Sequence, residues 1–134
     1  MARRLILDSG VLIAAERGQV SLGSVVSEDD DLAVAALTVA ELRTGALLAT
    51  TAHGTTRTAF LVDLLATVLV EPYDLETAEA HSSLLAHVRR TGTPRGAHDL
   101  IIAATAVSTG RILVTTDRSA RFENLPGLDC IEVG

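Results

Sequence analysis

"RRLILDSGVLIAAERG", residues 3–18, decides the fold. Its first half, RRLIL at 3–7, is an apolar run too short for a helix and greasy at consecutive positions. A strand covered on both faces reads this way. The second half, VLIAAER, is helical in composition and stops at Gly18. Between them stands Asp8, a carboxylate at the joint of two buried elements. A buried strand running directly into a helix is the opening of a β-α-β unit, which implies parallel pairing with a later strand.

The same alternation continues outward. LAVAAL (32–37) reads as a second buried strand, after which Thr38 opens a helix, TVAELRTGALLAT. The intervening SLGSVVSEDDD (21–31) reads as a weak helix ending in an acidic turn. HGTTRT (53–58) reads as a loop, with a helix following from about Thr58 to Leu65, and TVLVEPY (67–73) as a third strand closed by Pro72. In ETAEAHSSLLAHVRR (76–90), Ala78, His81, Leu85 and Val88 share one helical face. TGTPRG leads into a helix over 98–109, RILVTT (111–116) is a fourth strand ending at Asp117, and LDCIEV (128–133) is a last one. The expectation is an α/β fold, a single domain over residues 1–134. It has a mostly parallel sheet of four to five strands with helices on both faces.

Composition narrows the class. With 134 residues, 48% of them apolar, the chain is long enough for one core and too apolar for disorder. No apolar run approaches the ~20 residues of a membrane helix, and the N-terminus enters a strand at once, leaving no room for a signal peptide. The single cysteine, Cys130, has no internal partner, which suits a reducing cytoplasm. A net charge of −6 argues against nonspecific coating of nucleic acid. All eleven basic residues are arginine, a side chain shaped for bidentate phosphate contact; a GC-rich genome accounts for that bias equally well.

Four acids recur at element joints. Each has a structural explanation. Asp8 is placed as a helix N-cap. Thr38-Val-Ala-Glu41 spells a capping box. Asp99, near the start of AHDLIIAATA (97–106), complements a helix dipole, and Asp117 is suited to an Asx turn. Their positions suggest something further. Asp8 and Asp117 follow parallel strands directly, Glu41 lies one helical turn beyond another, and the carboxyl edge of an open α/β sheet is where ligands bind. Carboxylates gathered there repel by about 4 kcal/mol per pair at roughly 4 Å and an effective dielectric of 20. Protons or a hard cation, Mg²⁺ or Mn²⁺, must offset that repulsion.

LILDSGVLI, LTVAELRTGA, AHDLIIAATA and ILVTTDRSARFENLPGL together resemble, in order and spacing, the four acidic motifs of PIN-domain nucleases. The compact length and the E-L-R-x-G turn are most similar to the VapC toxins of bacterial toxin–antitoxin pairs. The resemblance implies a Mg²⁺- or Mn²⁺-dependent endoribonuclease in which Asp8, Glu41, Asp99 and Asp117 bind the metal, with Ser9 and Thr115 supporting them. If two ions bind, Asp8 is the candidate bridge. It also implies a VapB-type antitoxin, a homodimer, a heterotetramer or larger assembly with that antitoxin, and DNA contact only through the antitoxin. Arg43, Arg95 and Arg118, each near an acidic motif, are the candidate RNA contacts. Two positions depart from the pattern: Gly10 stands where relatives carry a polar side chain, and Ser119 where many carry another acid.

His98 reads as a neighbour of the site rather than its base. His53, His81 and His87 lack zinc-ligand spacing. Rival enzymes lose their defining residues. The chain has no lysine for a receiver domain, no D-x-D after the first strand, and no G-x-x-x-x-G-K-[ST] loop. A catalytically weak PIN-like binding module stays open as the alternative, as does another Mg-dependent phosphoryl-transfer domain.

Overall fold

In the computed structural model, which describes residues 2–134, the opening stretch forms β1 (Arg4–Leu7) and α1 (Ser9–Glu16), with Asp8 alone between them. The chain continues through β2 (Asp31–Ala35), α2 (Ala36–Leu48), α3 (Thr51–Thr67) and β3 (Leu69–Glu71). It then forms α4 (Leu75–Thr91), α5 (Ala97–Thr109), β4 (Ile112–Thr115) and β5 (Cys130–Glu132). The five strands make one sheet in the order β3-β2-β1-β4-β5, every neighbour parallel. The expected α/β architecture is present.

Alternation within β1 explains the layers. Leu5 and Leu7 join Val11, Leu12, Val34, Leu61 and Leu64 in one buried cluster. Ile6, pointing the other way, joins Leu84, Leu100, Ile102 and Leu113 in the second. Helices α1 and α3 thus cover one face and α4 and α5 the other, so the central strands have no polar face.

The chain departs from the sequence reading in four places. HGTTRT is not a loop: residues 53–58 lie inside α3. Gly54 lets α3 cross α2 closely, since a Cβ there would sit 2.8 Å from the Ala46 carbonyl oxygen. Thr55 and Thr56 donate their hydroxyls back to the carbonyls of Thr51 and Ala52. Packing therefore overcomes the weak helix propensity of that segment, and the i−4 bonds satisfy the threonine hydroxyls within it. The expected helix over 21–31 shrinks to a single 3₁₀ turn, Leu22–Ser24. Asp30 instead accepts from Arg3 at 2.8 Å and from the Ser27 amide, which ties that acidic stretch to the sheet. Helix α2 begins at Ala36, with Ala35 as its N-cap, so Thr38 is already inside it and the capping box does not form. On α4 the buried stripe is Thr77, Leu84 and Val88, with His81 and Leu85 only half-buried.

Arg111, at the entrance to β4, has a side chain only 1% exposed. Its guanidinium donates to the carbonyls of Leu5 and Asp31 and approaches the carboxylates of Asp31 and Glu71, stitching β1, β2 and β3 to β4.

Candidate active site

The strand order reverses around β1: the chain moves to β2 on one side and to β4 on the other. In open parallel sheets this leaves a crevice at the carboxyl ends of the strands. Asp8 leaves β1 and Asp117 follows β4 on either side of it. Leu7 is registered with Val114, and the Asp8 amide donates to the Val114 carbonyl at 3.0 Å, which carries the ladder one residue past the strand.

Asp8 is buried, and although it occupies the N-cap position of α1, its side chain makes no cap bond. Instead Oδ2 accepts from the Thr115 hydroxyl at 2.9 Å, and Ser9 Oγ lies 3.4 Å from Oδ1. Thr115, fully buried, also accepts from the Asp117 amide at 3.0 Å. One hydroxyl thus fixes the first acid and the backbone of the fourth. Both supporting residues named from the sequence touch Asp8.

Asp117 does form the expected turn. Its Oδ1 accepts from the Ser119 amide, the Ser119 hydroxyl at 2.6 Å and the Ala120 amide. Oδ2 has no part in that turn. Ser119, standing where an acid was expected, therefore orients Asp117. Gly10, the other departure, leaves room for a neighbour: a Cβ there would lie 2.6 Å from Thr116 Oγ1.

Glu41 reaches the crevice from the second turn of α2. Its Oε1 is buried with no hydrogen-bond partner, and Oε2 lies 3.6 Å from His98 Nδ1. Asp99 sits in the first turn of α5, its Oδ2 folded over Gly96, where a Cβ would come within 2.9 Å. The electrostatics connect all four. Burial pushes the Asp8 carboxyl above its ordinary range against the Thr115 bond, and the Asp117 charge adds to the rise. Burial also raises Glu41, with His98 opposing and the charges of Asp8 and Asp99 contributing. Asp99 rises through burial first, then through Asp117 and Asp8. The acids share a space without closing on a point: among the described residues no three acidic, histidine or cysteine side chains are gathered closely enough to enclose an ion.

The three arginines are less centrally placed. Arg118 lies 3.5 Å from Glu132, and Arg95 donates to the Thr93 carbonyl of its own loop. Arg43 is exposed two positions after Glu41, about 200° around α2 from it. Thr116 and Gly96 were not singled out from the sequence. Gly96 has φ −59°, which any residue adopts, so no turn signal marks it.

The model of the family described as PIN domain matches residues 5–128. "VapC ribonuclease Y4jK" of Sinorhizobium fredii is 40% identical over 108 residues, covering 76% of this chain and 74% of that one. "Ribonuclease VapC5" of Mycobacterium tuberculosis is 30% identical over 128 residues, covering 96% and 92%. Among solved structures, VapBC-5 of Mycobacterium tuberculosis, a member of the VapBC toxin–antitoxin family, superposes with a TM-score of 0.80 at 29% identity, over 97% of this chain and 98% of that one. The VapBC2 structure from Rickettsia felis, bound to a DNA fragment from their promoter, gives 0.87 at 17% identity, over 98% and 99%, a likeness of fold.

Proposed function

This chain belongs to the PIN domain family, and from that premise we infer that it is an endoribonuclease toxin of the VapC type, neutralised by a VapB-type antitoxin. It hydrolyses RNA phosphodiester bonds and acts within an oligomeric toxin–antitoxin assembly, meeting DNA only through the antitoxin.

The reaction depends on Mg²⁺ or Mn²⁺ held by Asp8, Glu41, Asp99 and Asp117. The observation that carries this reading is the buried Glu41 Oε1, an acceptor without a donor, beside neighbours that are also carboxylates. A buried acceptor of that kind costs about 1–3 kcal/mol unless something offsets it, and oxygen donors select hard cations. Asp8 is likewise released from capping and held by Thr115. A bound divalent ion supplies Lewis acidity, lowering the pKa of a water and neutralising charge that builds on the phosphate. The protein's part is to hold the four acids at one edge of the sheet. Asp8 and Asp117 are fixed by Thr115 and Ser119, and Asp99 and Glu41, both half-buried, would supply the remaining oxygens. A carboxylate left partly free of coordination takes the proton of the attacking water.

No helix among the described residues is long and apolar enough to cross a membrane. We place the activity in the cytoplasm, where RNA is available and the lone Cys130 stays reduced. The test is a Mn²⁺ titration with labelled RNA. Wild type cleaves, and Asp99→Asn, with its fold intact by circular dichroism, does not. Equal RNA binding without cleavage by either protein overturns the enzyme in favour of a binding module.

A further inference from the structure

Two of the four acids are anchored by hydrogen bonds: Asp8 by Thr115 and Ser9, Asp117 by Ser119 and two backbone amides. Glu41 is held differently. Thr38, its expected capping partner, lies inside α2, and Oε1 is buried without a donor. The only ion-pair contact of Glu41 among the described residues is with His98, whose Nδ1 stands 3.6 Å from Oε2. That separation exceeds a direct hydrogen bond, and contacts between groups of a reactive site commonly shorten once the ligand is in place.

A long side chain held at one point has somewhere else to go. Glu41 also lines a cavity of about 90 Å³ between α1, α2 and α3, together with Leu42, Phe60, Arg17 and Arg57. Arg57 is already engaged by Glu16 at 3.8 Å and by the Gly45 carbonyl, whereas Arg17 forms no ion pair among the described residues. Cations in that cavity compete for the same carboxylate. What opposes them comes from α5. His98 is the second residue of that helix and Asp99 the third, so an imidazole that holds Glu41 fixes the second acid against the turn that carries the third. Thr115 does the same for the other pair, joining Asp8 to the Asp117 amide. The His98 side chain is 62% exposed, so it adds little to the core and can be replaced without unfolding the chain.

We propose that His98 is a positioning residue: its Nδ1–H holds Glu41 Oε2, keeps that carboxylate from the arginine-lined cavity and leaves Oε1 free for a divalent cation. The proposal rests on the metal-dependent reading of the site and gives a role to a residue outside the four acids. It requires no change in the charge of His98, since a neutral ring carrying its proton on Nδ1 and an imidazolium both donate there. Carboxylates that bind metals are themselves hydrogen-bonded, and loss of such a partner lowers metal affinity about 10–100-fold.

The test uses the full-length protein as wild type, His98→Ala, His98→Asn, Glu41→Gln and the double variant His98→Ala with Glu41→Gln. Mn²⁺ affinity is read by calorimetry, and KM and kcat on labelled single-stranded RNA at saturating Mn²⁺. His98→Ala is expected to weaken Mn²⁺ binding about tenfold with the melting temperature unchanged. Its kcat falls while KM for RNA holds. Asparagine carries its amide nitrogen at the same reach from the backbone as Nδ1, and His98→Asn should restore most of the loss. In the Glu41→Gln background His98→Ala adds nothing, because the imidazole acts through that carboxylate. Wild-type Mn²⁺ affinity in His98→Ala overturns the proposal, as does a full additional loss in the double variant or an asparagine as weak as alanine. A raised KM at unchanged Mn²⁺ affinity makes His98 an RNA contact and overturns it as well. The ribonuclease reading is judged separately: a wild type that shows the Mn²⁺ coupling and leaves RNA uncut removes the nuclease and upholds the role of His98.

Discussion

Thr115 holds the candidate site together with a single hydroxyl, donating to Asp8 and accepting from the Asp117 amide. Thr115→Val keeps the shape and deletes both bonds. Mn²⁺ affinity measured by calorimetry should fall about 10–100-fold, the usual loss when a ligand's supporting partner is removed. Gly96→Ala acts on the third acid. The backbone at Gly96 suits alanine, so the new Cβ meets only the Asp99 carboxylate, 2.9 Å away, and a side-chain end turns aside easily. Thermal stability should barely change while Mn²⁺ affinity drops several-fold. Strand ends place Asp8 and Asp117 at the carboxyl edge of the sheet, whereas Asp99 reads in the sequence only as an acid at a helix start, which the sheet edge does not by itself bring near. Glu41 was legible one helical turn beyond a strand end, but its expected cap was not borne out, since Thr38 lies inside the helix with its hydroxyl unpartnered. Gly96 was not legible at all, because what it makes room for is a side chain and not a turn.

The raised carboxyls give these residues a pH signature. Asp8, Glu41 and Asp99 all have folded values above their ordinary 3.8, 4.5 and 3.8. Above those values the unfolded chain has released protons that the native chain retains. Metal-free stability contributed by these groups is therefore complete below about pH 4 and is lost as pH rises through the raised values. Asp30 and Asp74 run the other way, since Arg3 holds the first low and the Thr77 amide and hydroxyl hold the second. The difference between two proteins isolates the site. Metal-free Asp99→Asn should melt a few degrees above wild type at pH 7, with the gap closing below about pH 4 by differential scanning calorimetry.

Among the elements, α3 shows what packing adds to propensity. Gly54 and the threonines around it are weak helix formers, and the sequence alone read them as a loop. Packing of α3 overrides that propensity: Leu61 and Leu64 enter the core and Gly54 lets the helix approach the Ala46 carbonyl on α2, contacts the sequence gives no reason to pair. Strands were easier to place, because consecutive apolar residues admit few other arrangements in a parallel sheet. Their order was not, since pairing of β1 with both β2 and β4 depends on contacts distant in the chain. Arg111 binds that order together from beneath. Arg111→Ala removes the donor to two strand carbonyls and the cation beside Glu71, the other carboxylate, Asp31, being half exposed, and it should destabilise the fold by about 1–3 kcal/mol in urea unfolding. Turnover per folded molecule should be unchanged, because Arg111 lies away from the carboxyl edge.

For the molecule as a whole, assembly and catalysis meet on one small domain. Leu47 and Leu48 on α2 are 79% and 83% exposed, and Leu69, Val70, Tyr73 and Leu75 are exposed along and just after edge strand β3. Apolar surface of this kind suits burial by partner chains. Light scattering of the isolated toxin should report a homodimer; a clean monomer across micromolar concentrations contradicts that expectation. The central claim is that four carboxylates drawn from β1, α2, α5 and the end of β4 hold a divalent cation at the switch point of the sheet. Crystals of the wild-type protein grown with Mn²⁺ and measured for anomalous scattering test it most directly. The account predicts a peak coordinated by Asp8 together with Asp99, Asp117 or Glu41, and no peak there in Asp99→Asn. An empty crevice in a preparation that still cleaves RNA, or an ion bound elsewhere on the chain, contradicts it.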